Sequence, residues 1–220
     1  ARDGKPARKS WPFIKLMGRS ASHVTLECAL QVQPNITLIG EEVEAKNQTL
    51  DDIVTYIATI VADRAARGMN FGTVLVPEGL IEFIPAIKKL IAELNDLIAA
   101  NQAEFDTIGA DEKIAFIKAH LSAANAAIFH SLPAGVSRQL ALERDPHGNV
   151  QVSLIETEQL LAEMVATKLA AWKKEGKFTG KFSTQHHFFG YEGRCAAPSN
   201  FDADYCYILC YTARNLRAEG

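Results

Sequence analysis

Three polar clusters in this sequence directly follow apolar runs, and their residue types suit the binding of phosphate and hydroxyl groups. Met17-Gly18-Arg19 closes one run, Glu78 follows a second, and Tyr191-Glu192-Gly193-Arg194 follows a third. Glycine lets a ligand approach the backbone closely, and an arginine guanidinium can donate two parallel hydrogen bonds to a phosphate. A carboxylate accepts hydrogen bonds from sugar hydroxyls. The clusters therefore predict a site for a phosphate-bearing, hydroxylated ligand, with no evident nucleophile or general base.

Each cluster taken alone has a structural alternative. Arg19 could be a solvated loop residue, and Glu78 could be a helix N-terminal acid that complements the helix dipole. Residues 191–194 could form an ordinary polar turn. The residues alone favour the structural alternative for Arg19 and Glu78 and leave the turn undecided. Four lysines between 173 and 181 are interpreted as a solvated helix end rather than a phosphate patch.

Several catalytic motifs do not occur in the sequence. It contains no G-x-x-x-x-G-K-[ST] loop, no G-x-G-x-x-G fingerprint and no G-x-S-x-G elbow. His186 and His187, followed by Cys195, could suggest a metal site. Adjacent histidines on a strand point to opposite faces, however, so they cannot easily share one ion. We therefore assign no metal ligands in this chain.

Short apolar runs alternate with amphipathic segments in the first hundred residues and again at the end of the chain. The pattern predicts strands at 11–17, 36–39, 73–76 and 182–189. It predicts a helix at 20–30, capped by Ser20 or Ser22, and a second helix that starts at a Thr49–Asp52 capping box and ends at Gly68. Two further helices are predicted at 81–99 and from Ser199 or Asn200 to 216.

This alternation predicts an α/β fold: a doubly wound, mostly parallel sheet with helices on both faces and a largely helical insertion. Ligands of such sheets bind at the carboxyl ends of the strands. The polar groups expected along that edge are Gly18-Arg19, Gly40-Glu41-Glu42 and Glu78-Gly79.

The middle of the chain breaks the alternation. It predicts helices at 111–120, 122–130 and 156–174, a turn at 145–149 and a possible short strand at 150–154. We therefore predict that residues 1–101 and 182–220 form a sugar-phosphate-binding α/β domain, and that residues 102–181 form a mainly helical insertion or subdomain.

Composition narrows the classes of partner. The 220 residues are 48% hydrophobic and carry a net charge of −3 without a basic tract, so a nucleic-acid partner is not expected. No apolar run approaches the length of about 18 residues that a membrane span needs, so no membrane association is expected. The four cysteines show no paired-loop framework, which predicts reduced thiols in the cytoplasm.

The segment 13–31, with the sequence FIKLMGRSASHVTLECALQ, resembles the phosphofructokinase superfamily, and in particular its long pyrophosphate-dependent branch. Further matches occur in the same order along nearly the whole chain. They are NITLIGEE at 35–42, VPEGLIEFI at 76–84, LPAGVSRQLAL at 132–142, ERDPHGN at 143–149 and FFGYEGRC at 188–195.

The resemblance implies roles for individual residues. It implies that Met17, Gly18 and Arg19 contact fructose 6-phosphate, that Glu78 holds the sugar, and that Tyr191, Glu192, Gly193 and Arg194 complete the site and grip the 6-phosphate. Relatives that use ATP carry histidine at the position of Tyr191, so the tyrosine points to pyrophosphate as donor. The family's Lys-Tyr pair, which reaches the partner subunit's site, is Lys9-Ser10 here; Lys9 matches and Ser10 departs.

The resemblance also implies parts that this sequence does not contain. The family's GGDD-type loop for the donor phosphates, and the TIDxD segment with its catalytic aspartate, precede the MGR triplet. We therefore expect this chain to be a fragment that lacks the donor-binding half, has no catalytic residue of its own, and is inactive alone. Magnesium ligands are expected in the missing half, and the parent enzyme is expected to be a homodimer. A regulatory subunit or sugar-phosphate-sensing module of the same fold is the alternative.

Overall fold

The computed structural model describes residues 9–18, 21–105, 107–144, 150–151 and 154–219. The chain forms two compact units, residues 1–189 and 190–220. The first unit holds the sheet and the helices that cover it, and the second holds two helices.

The described strands of the first unit form one parallel sheet. They are β1 (Trp11–Leu16), β2 (Ile36–Thr37), β3 (Val74–Pro77) and β4 (Thr184–Phe189). Their order is β2-β3-β1-β4, and each neighbouring pair is parallel. Leu16 pairs with Pro77 on one side and with Phe189 on the other, so β1, β3 and β4 end at the same level. The predicted parallel sheet is confirmed.

Helices cover the sheet, and their bounds largely follow the predicted alternation. A 3₁₀ helix spans Leu80–Phe83. The α-helices of the first unit are α1 (His23–Val32), α2 (Gly40–Ala45), α3 (Leu50–Ala66), α4 (Pro85–Ala100), α5 (Gln102–Phe105), α6 (Ala110–His120), α7 (Ala123–Ser131), α8 (Ala134–Leu142) and α9 (Thr157–Lys174).

Alternate side chains of β1 point to opposite faces of the sheet, as the pleat requires. Trp11 and Phe13 belong to the larger buried cluster on one face. Ile14 and Leu16 belong to a smaller cluster on the other face, against which Cys28 of α1 packs. Helices therefore lie on both faces, with α9 against β1 and β4 on one side and α1 against β3 on the other. This arrangement confirms the doubly wound α/β class.

The segment after β2 differs from the prediction. The strand expected at 36–39 pairs only at 36–37, and helix α2, which was not predicted, begins at Gly40. The acidic pair Glu41-Glu42 lies in the first turn of α2, where it complements the helix dipole. In the sequence the same pair is equally compatible with a loop at a strand end.

The helix predicted at 81–99 is divided into two parts. The 3₁₀ helix ends at Phe83, and α4 starts at Pro85. Ile84 between them is extended, with φ −84° and ψ 112°. A residue before proline is pushed out of the helical region by the proline ring, which explains the break.

The middle region confirms the helices predicted at 111–120, 122–130 and 156–174 to within one or two residues. Helix α8 was not predicted. Pro133 and Gly135 lie at its start, where N–H groups have no intrahelical partner. Of the possible strand at 150–154, residues 152 and 153 lie outside the described residues; at its described ends Val150 forms an isolated bridge with Arg144, and Leu154 lies in a 3₁₀ turn rather than a strand. The turn predicted at 145–149 lies outside the described residues.

The larger buried cluster includes side chains from the predicted insertion as well as from the strands, for example Phe129 and Leu160 together with Val74. The predicted division at residues 101/102 and 181/182 stays a prediction. None of the helices in the described part of the chain combines the length and the apolar character that crossing a bilayer requires.

The second unit consists of α10 (Tyr191–Arg194) and α11 (Asn200–Glu219). Residues 191–194 were expected to form a turn and form a single helical turn instead. Ser199 caps α11: its hydroxyl accepts from the N–H of Asp202, and the Asp202 carboxylate accepts from the N–H of Ser199. The predicted cap at Ser199 is therefore confirmed.

Candidate functional site

The carboxyl end of β1 is joined to the residue after β3 by two hydrogen bonds. The N–H of Gly18 donates to Oε2 of Glu78 at 2.9 Å, and the N–H of Glu78 donates to the carbonyl of Leu16 at 3.2 Å. The backbone bond to Leu16 continues the β1–β3 ladder beyond the Leu16–Pro77 pair, and the side-chain bond ties Gly18 to it. Two clusters separated by sixty residues in the sequence are thus brought into contact at the carboxyl edge, as expected.

Glu78 presents a carboxylate in a largely dehydrated position. Its residue surface is 4% exposed. The bond from the N–H of Gly18 fixes the position of this carboxylate, which can act only as a hydrogen-bond acceptor when ionised. Because hydrogen bonds are stronger where water is excluded, a carboxylate here is suited to accepting sugar hydroxyls.

A second pair of hydrogen bonds ties the start of α1 to the start of α2. The hydroxyl of Ser22 accepts from the N–H of Gly40 at 2.9 Å, and Oε1 of Glu41 accepts from the N–H of Ser22 at 3.0 Å. Ser22 directly precedes α1, but its side chain makes no capping bond to that helix. The sequence predicted Ser22 as a possible cap of α1 and Glu41 at the carboxyl edge of the sheet, but it did not predict the contact between them. Ser20, the other candidate cap, lies outside the described residues.

These contacts shift the acidity of Glu41. Partial burial alone would raise the pKa of Glu41. Hydrogen bonds from Ser22 and from the N–H of Glu41 itself lower it, the charge of His23 lowers it as well, and these effects together outweigh the burial. The pKa of Glu41 therefore lies below its usual value, and the side chain stays ionised at the edge of the site.

Gly40 permits close packing beneath this network. A Cβ at this position would lie 2.2 Å from Cδ2 of Phe83, far inside van der Waals contact. The ring of Phe83 thus occupies the space that any other residue at position 40 would need. Because Gly40 has no side chain, α2 can start in contact with the 3₁₀ helix that follows Glu78.

Glu82 lies four residues beyond Glu78, in the 3₁₀ helix. Burial raises the pKa of Glu82, and the Glu78 carboxylate raises it further, while Lys88 acts in the opposite direction. Burial, more than the neighbouring charges, therefore disfavours the ionised form of Glu82.

Met17 is placed at the edge by a neighbouring strand, because its N–H donates to the carbonyl of Phe189 at the end of β4 at 3.0 Å. Arg19, the cation of the first cluster, lies outside the described residues. Met17, Gly18 and Glu78 are therefore together at the edge, and the position of Arg19 stays a prediction.

Lys9 is exposed and precedes β1. Five steps along β1 at about 3.3 Å each separate Trp11 from Leu16 by about 17 Å, which places Lys9 at the opposite edge of the sheet from Gly18. The structure does not bring Lys9 to the Gly18–Glu78 edge of its own chain.

The predicted site residues Tyr191 to Arg194 belong to the second unit. Tyr191, Glu192 and Gly193 are exposed, and the N–H of Gly193 donates to the carbonyl of Gly190 at 3.1 Å. The backbone of Arg194 ends α10, and its side chain lies outside what is described. The roles that the resemblance implies for these four residues stay predictions.

Within the described ranges, no group of three or more His, Cys, Asp or Glu side chains is arranged to hold a metal ion. The carboxylates at the edge, Glu41 and Glu78, are engaged with backbone N–H groups. These residues do not fit a magnesium site, and the magnesium expected from the resemblance stays a prediction for sequence beyond this chain.

A parallel sheet with polar residues gathered at its carboxyl edge defines an α/β ligand-binding unit. No protein-family model matches the chain. A relative from Porphyromonas gingivalis named pyrophosphate–fructose 6-phosphate 1-phosphotransferase is 63% identical over 100% of this chain and 40% of its own length. A relative of the same name from Treponema pallidum is 58% identical over 97% of the chain and 37% of its own length.

The beta subunit of the enzyme of that name from Solanum tuberosum is 50% identical over 99% of the chain and 37% of its own length. The chain belongs to the pyrophosphate–fructose 6-phosphate 1-phosphotransferase family, and it spans about two fifths of the length of these relatives.

Proposed function

We propose that this chain is the fructose 6-phosphate-binding portion of a pyrophosphate-dependent 6-phosphofructokinase. The complete enzyme would move a phosphoryl group from pyrophosphate to the 1-hydroxyl of fructose 6-phosphate, giving fructose 1,6-bisphosphate and phosphate. The observation that carries the proposal is the 63% identity, over the whole chain, to a relative named for this reaction.

The geometry of the carboxyl edge supports the acceptor role. Phosphoryl transfer depends mainly on positioning the acceptor, the donor and the developing charge, so the acceptor site needs fixed hydrogen-bonding groups more than a nucleophile. The Glu78 carboxylate would accept from sugar hydroxyls while its bond from Gly18 holds the β1 end in place. By the resemblance, Arg19 would contact fructose 6-phosphate, and Arg194 would grip its 6-phosphate through paired N–H donors.

The donor side of the reaction would be supplied by sequence outside this chain. Magnesium would neutralise the pyrophosphate charge there, and an aspartate would accept the proton from the 1-hydroxyl. The residues of this chain would bind and orient fructose 6-phosphate and shield it from water, so the chain alone is expected to be inactive.

We also propose that the complete enzyme is a homodimer of the cytoplasm. Lys9 lies at the opposite edge from Gly18, which suits the expected contact of this lysine with the partner's site better than a contact within one chain. The four free cysteines suit a reducing compartment.

The test uses the complete gene product, meaning the full protein that contains this sequence. We expect it to convert fructose 6-phosphate to the bisphosphate with pyrophosphate as donor, and to do so far less well with ATP. The readout is formation of fructose 1,6-bisphosphate with each donor. A folded product that binds fructose 6-phosphate but transfers no phosphoryl group would favour the regulatory alternative, and one that neither binds nor reacts would contradict the proposal.

A further inference from the structure

Lys15 is a buried cation in β1 that none of the roles above uses. It is 3% exposed, and lysine is almost never buried to this degree unless it is paired. Its Nζ donates to the carbonyl of Ile155 at 2.9 Å and lies 3.5 Å from Oε2 of Glu158. The same ammonium lies 4.6 Å from the ring centroid of Phe188, within the range of a cation–π contact.

Glu158 is the matching buried anion. It lies in the first turn of α9, with a side chain 7% exposed. Among the described residues its Oε2 has no hydrogen-bond partner, so the ammonium of Lys15 is the charge that compensates it. Negative charge is also favoured at this end of a helix. The pair therefore holds the start of α9 against the middle of the sheet.

One contact of Lys15, Phe188, lies on the neighbouring strand directly beneath the carboxyl edge. In the β1–β4 register Lys15 is opposite Phe188, and one residue further Leu16 is opposite Phe189. Leu16 supplies the carbonyl that binds the N–H of Glu78, and Gly18 follows two residues later. A shift of β1 by a fraction of an ångström at Lys15 would be passed directly to the Gly18–Glu78 contact.

We infer that Lys15 is a positioning residue for the sugar-phosphate site, and that its ion pair with Glu158 sets the place of the β1 end relative to Glu78. The inference rests on the proposed function, since it assigns a role in fructose 6-phosphate binding. Lys15 itself would not touch the substrate, because its ammonium is enclosed by Ile155, Glu158 and Phe188.

Buried ion pairs have a property that makes this role testable. Removing one partner leaves an uncompensated buried charge, whereas replacing both by apolar residues of similar size is often tolerated. Lys15→Met should therefore disturb the β1 end, and Lys15→Met combined with Glu158→Leu should restore much of its packing.

The experiment measures steady-state kinetics of the complete gene product. We expect Lys15→Met to raise the KM for fructose 6-phosphate at least about tenfold and the KM for pyrophosphate less than about twofold. The double variant should return the first KM to within about threefold of wild type. If Lys15→Met does not fold, Glu158→Gln, which keeps the shape of the side chain, replaces it with the same expected results.

Lys168→Met is the matched control. Lys168 lies on α9, ten residues or about 15 Å along the helix from Glu158, and pairs with Asp51 of α3 at 2.8 Å. Its loss should leave both KM values unchanged.

Two results would overturn the inference. One is an unchanged KM for fructose 6-phosphate in the folded single variant, and the other is an equal rise in both KM values, which a merely structural role would give. A wild-type protein that has no activity with pyrophosphate would instead contradict the proposed function.

Discussion

At the residue scale, Glu41 links the two helices that begin at the carboxyl edge. Its carboxylate accepts from the N–H of Ser22, and Ser22 in turn accepts from Gly40. Because the pKa of Glu41 is lowered in the folded protein, its contribution to stability is present above the unfolded value of about 4.3 and is lost as the pH falls through the folded value.

We therefore predict that Glu41→Gln lowers the Tm at neutral pH, and that the difference from wild type shrinks at acidic pH. Thermal unfolding between about pH 7 and about pH 3 measures this. Glu42→Gln, which removes an exposed carboxylate paired with Lys46, is the control and should change the Tm less. A difference that is constant across the pH range would show that the Glu41 charge does not contribute.

Some of the site residues could be predicted from the sequence and others could not. Gly18 and Glu78 were expected at one edge because each follows an apolar run, and in parallel strands those ends meet. The Ser22–Gly40 bond joins residues eighteen positions apart on different elements. No local pattern encodes such a bond, because a serine before a helix is equally compatible with capping that helix.

At the element scale, α3 has the most clearly encoded start. The hydroxyl of Thr49 accepts from the N–H of Asp52, and the Asp52 carboxylate accepts from the N–H of Thr49. These bonds satisfy two backbone donors that the helix itself cannot. Behind them Ile53, Ile57 and Val61 are buried in the larger cluster.

We predict that Thr49→Ala destabilises the chain by about 1 kcal/mol, the usual cost of losing an N-cap side chain. Urea unfolding gives the free energy. Thr59→Ala is the matched control, since the hydroxyl of Thr59 bonds only a carbonyl of its own helix, four residues back, among the described contacts. It should be neutral or slightly stabilising. An equal loss in both variants would argue against the cap.

Local patterns account for α3 and fail for α2 and α8. The periodic apolar face and capping box of α3 predicted it to within two residues of its end. Helix α2 has only six residues, too few for an apolar period to be recognised. Helix α8 begins next to a proline and a glycine, which locally indicate a loop, and its stability comes from burying Val136 and Leu140.

At the scale of the whole molecule, each of the two units has large apolar side chains in contact with water. In the edge strand β4, Phe188 and Phe189 are 47% and 43% exposed, although parallel sheets are normally covered on both faces. Tyr207, Ile208 and other apolar side chains of α11 are also exposed. Contiguous apolar surface and an unpaired strand edge promote association.

We predict that the isolated 220-residue chain self-associates in a concentration-dependent manner, whereas the complete gene product forms a discrete oligomer. Sedimentation velocity over a concentration series distinguishes the two. Phe189→Thr should weaken the association of the isolated chain. A chain that stays monomeric throughout would mean that these surfaces do not drive association.

The measurement that tests the central claim most directly is calorimetric titration of fructose 6-phosphate into the complete gene product and its Glu78→Gln variant. Glutamine can still accept the bond from Gly18, so the change chiefly removes the charge offered to the sugar. The control is Glu93→Gln, because the described partners of the Glu93 carboxylate on α4 are Ser122 and Asn125 and do not include a residue of the carboxyl edge. We predict that Glu78→Gln raises the Kd at least about tenfold, as expected for a lost hydrogen bond to a charged group, and that the control leaves it unchanged. A Kd unchanged in folded Glu78→Gln protein would contradict the assignment of the acceptor site to this edge.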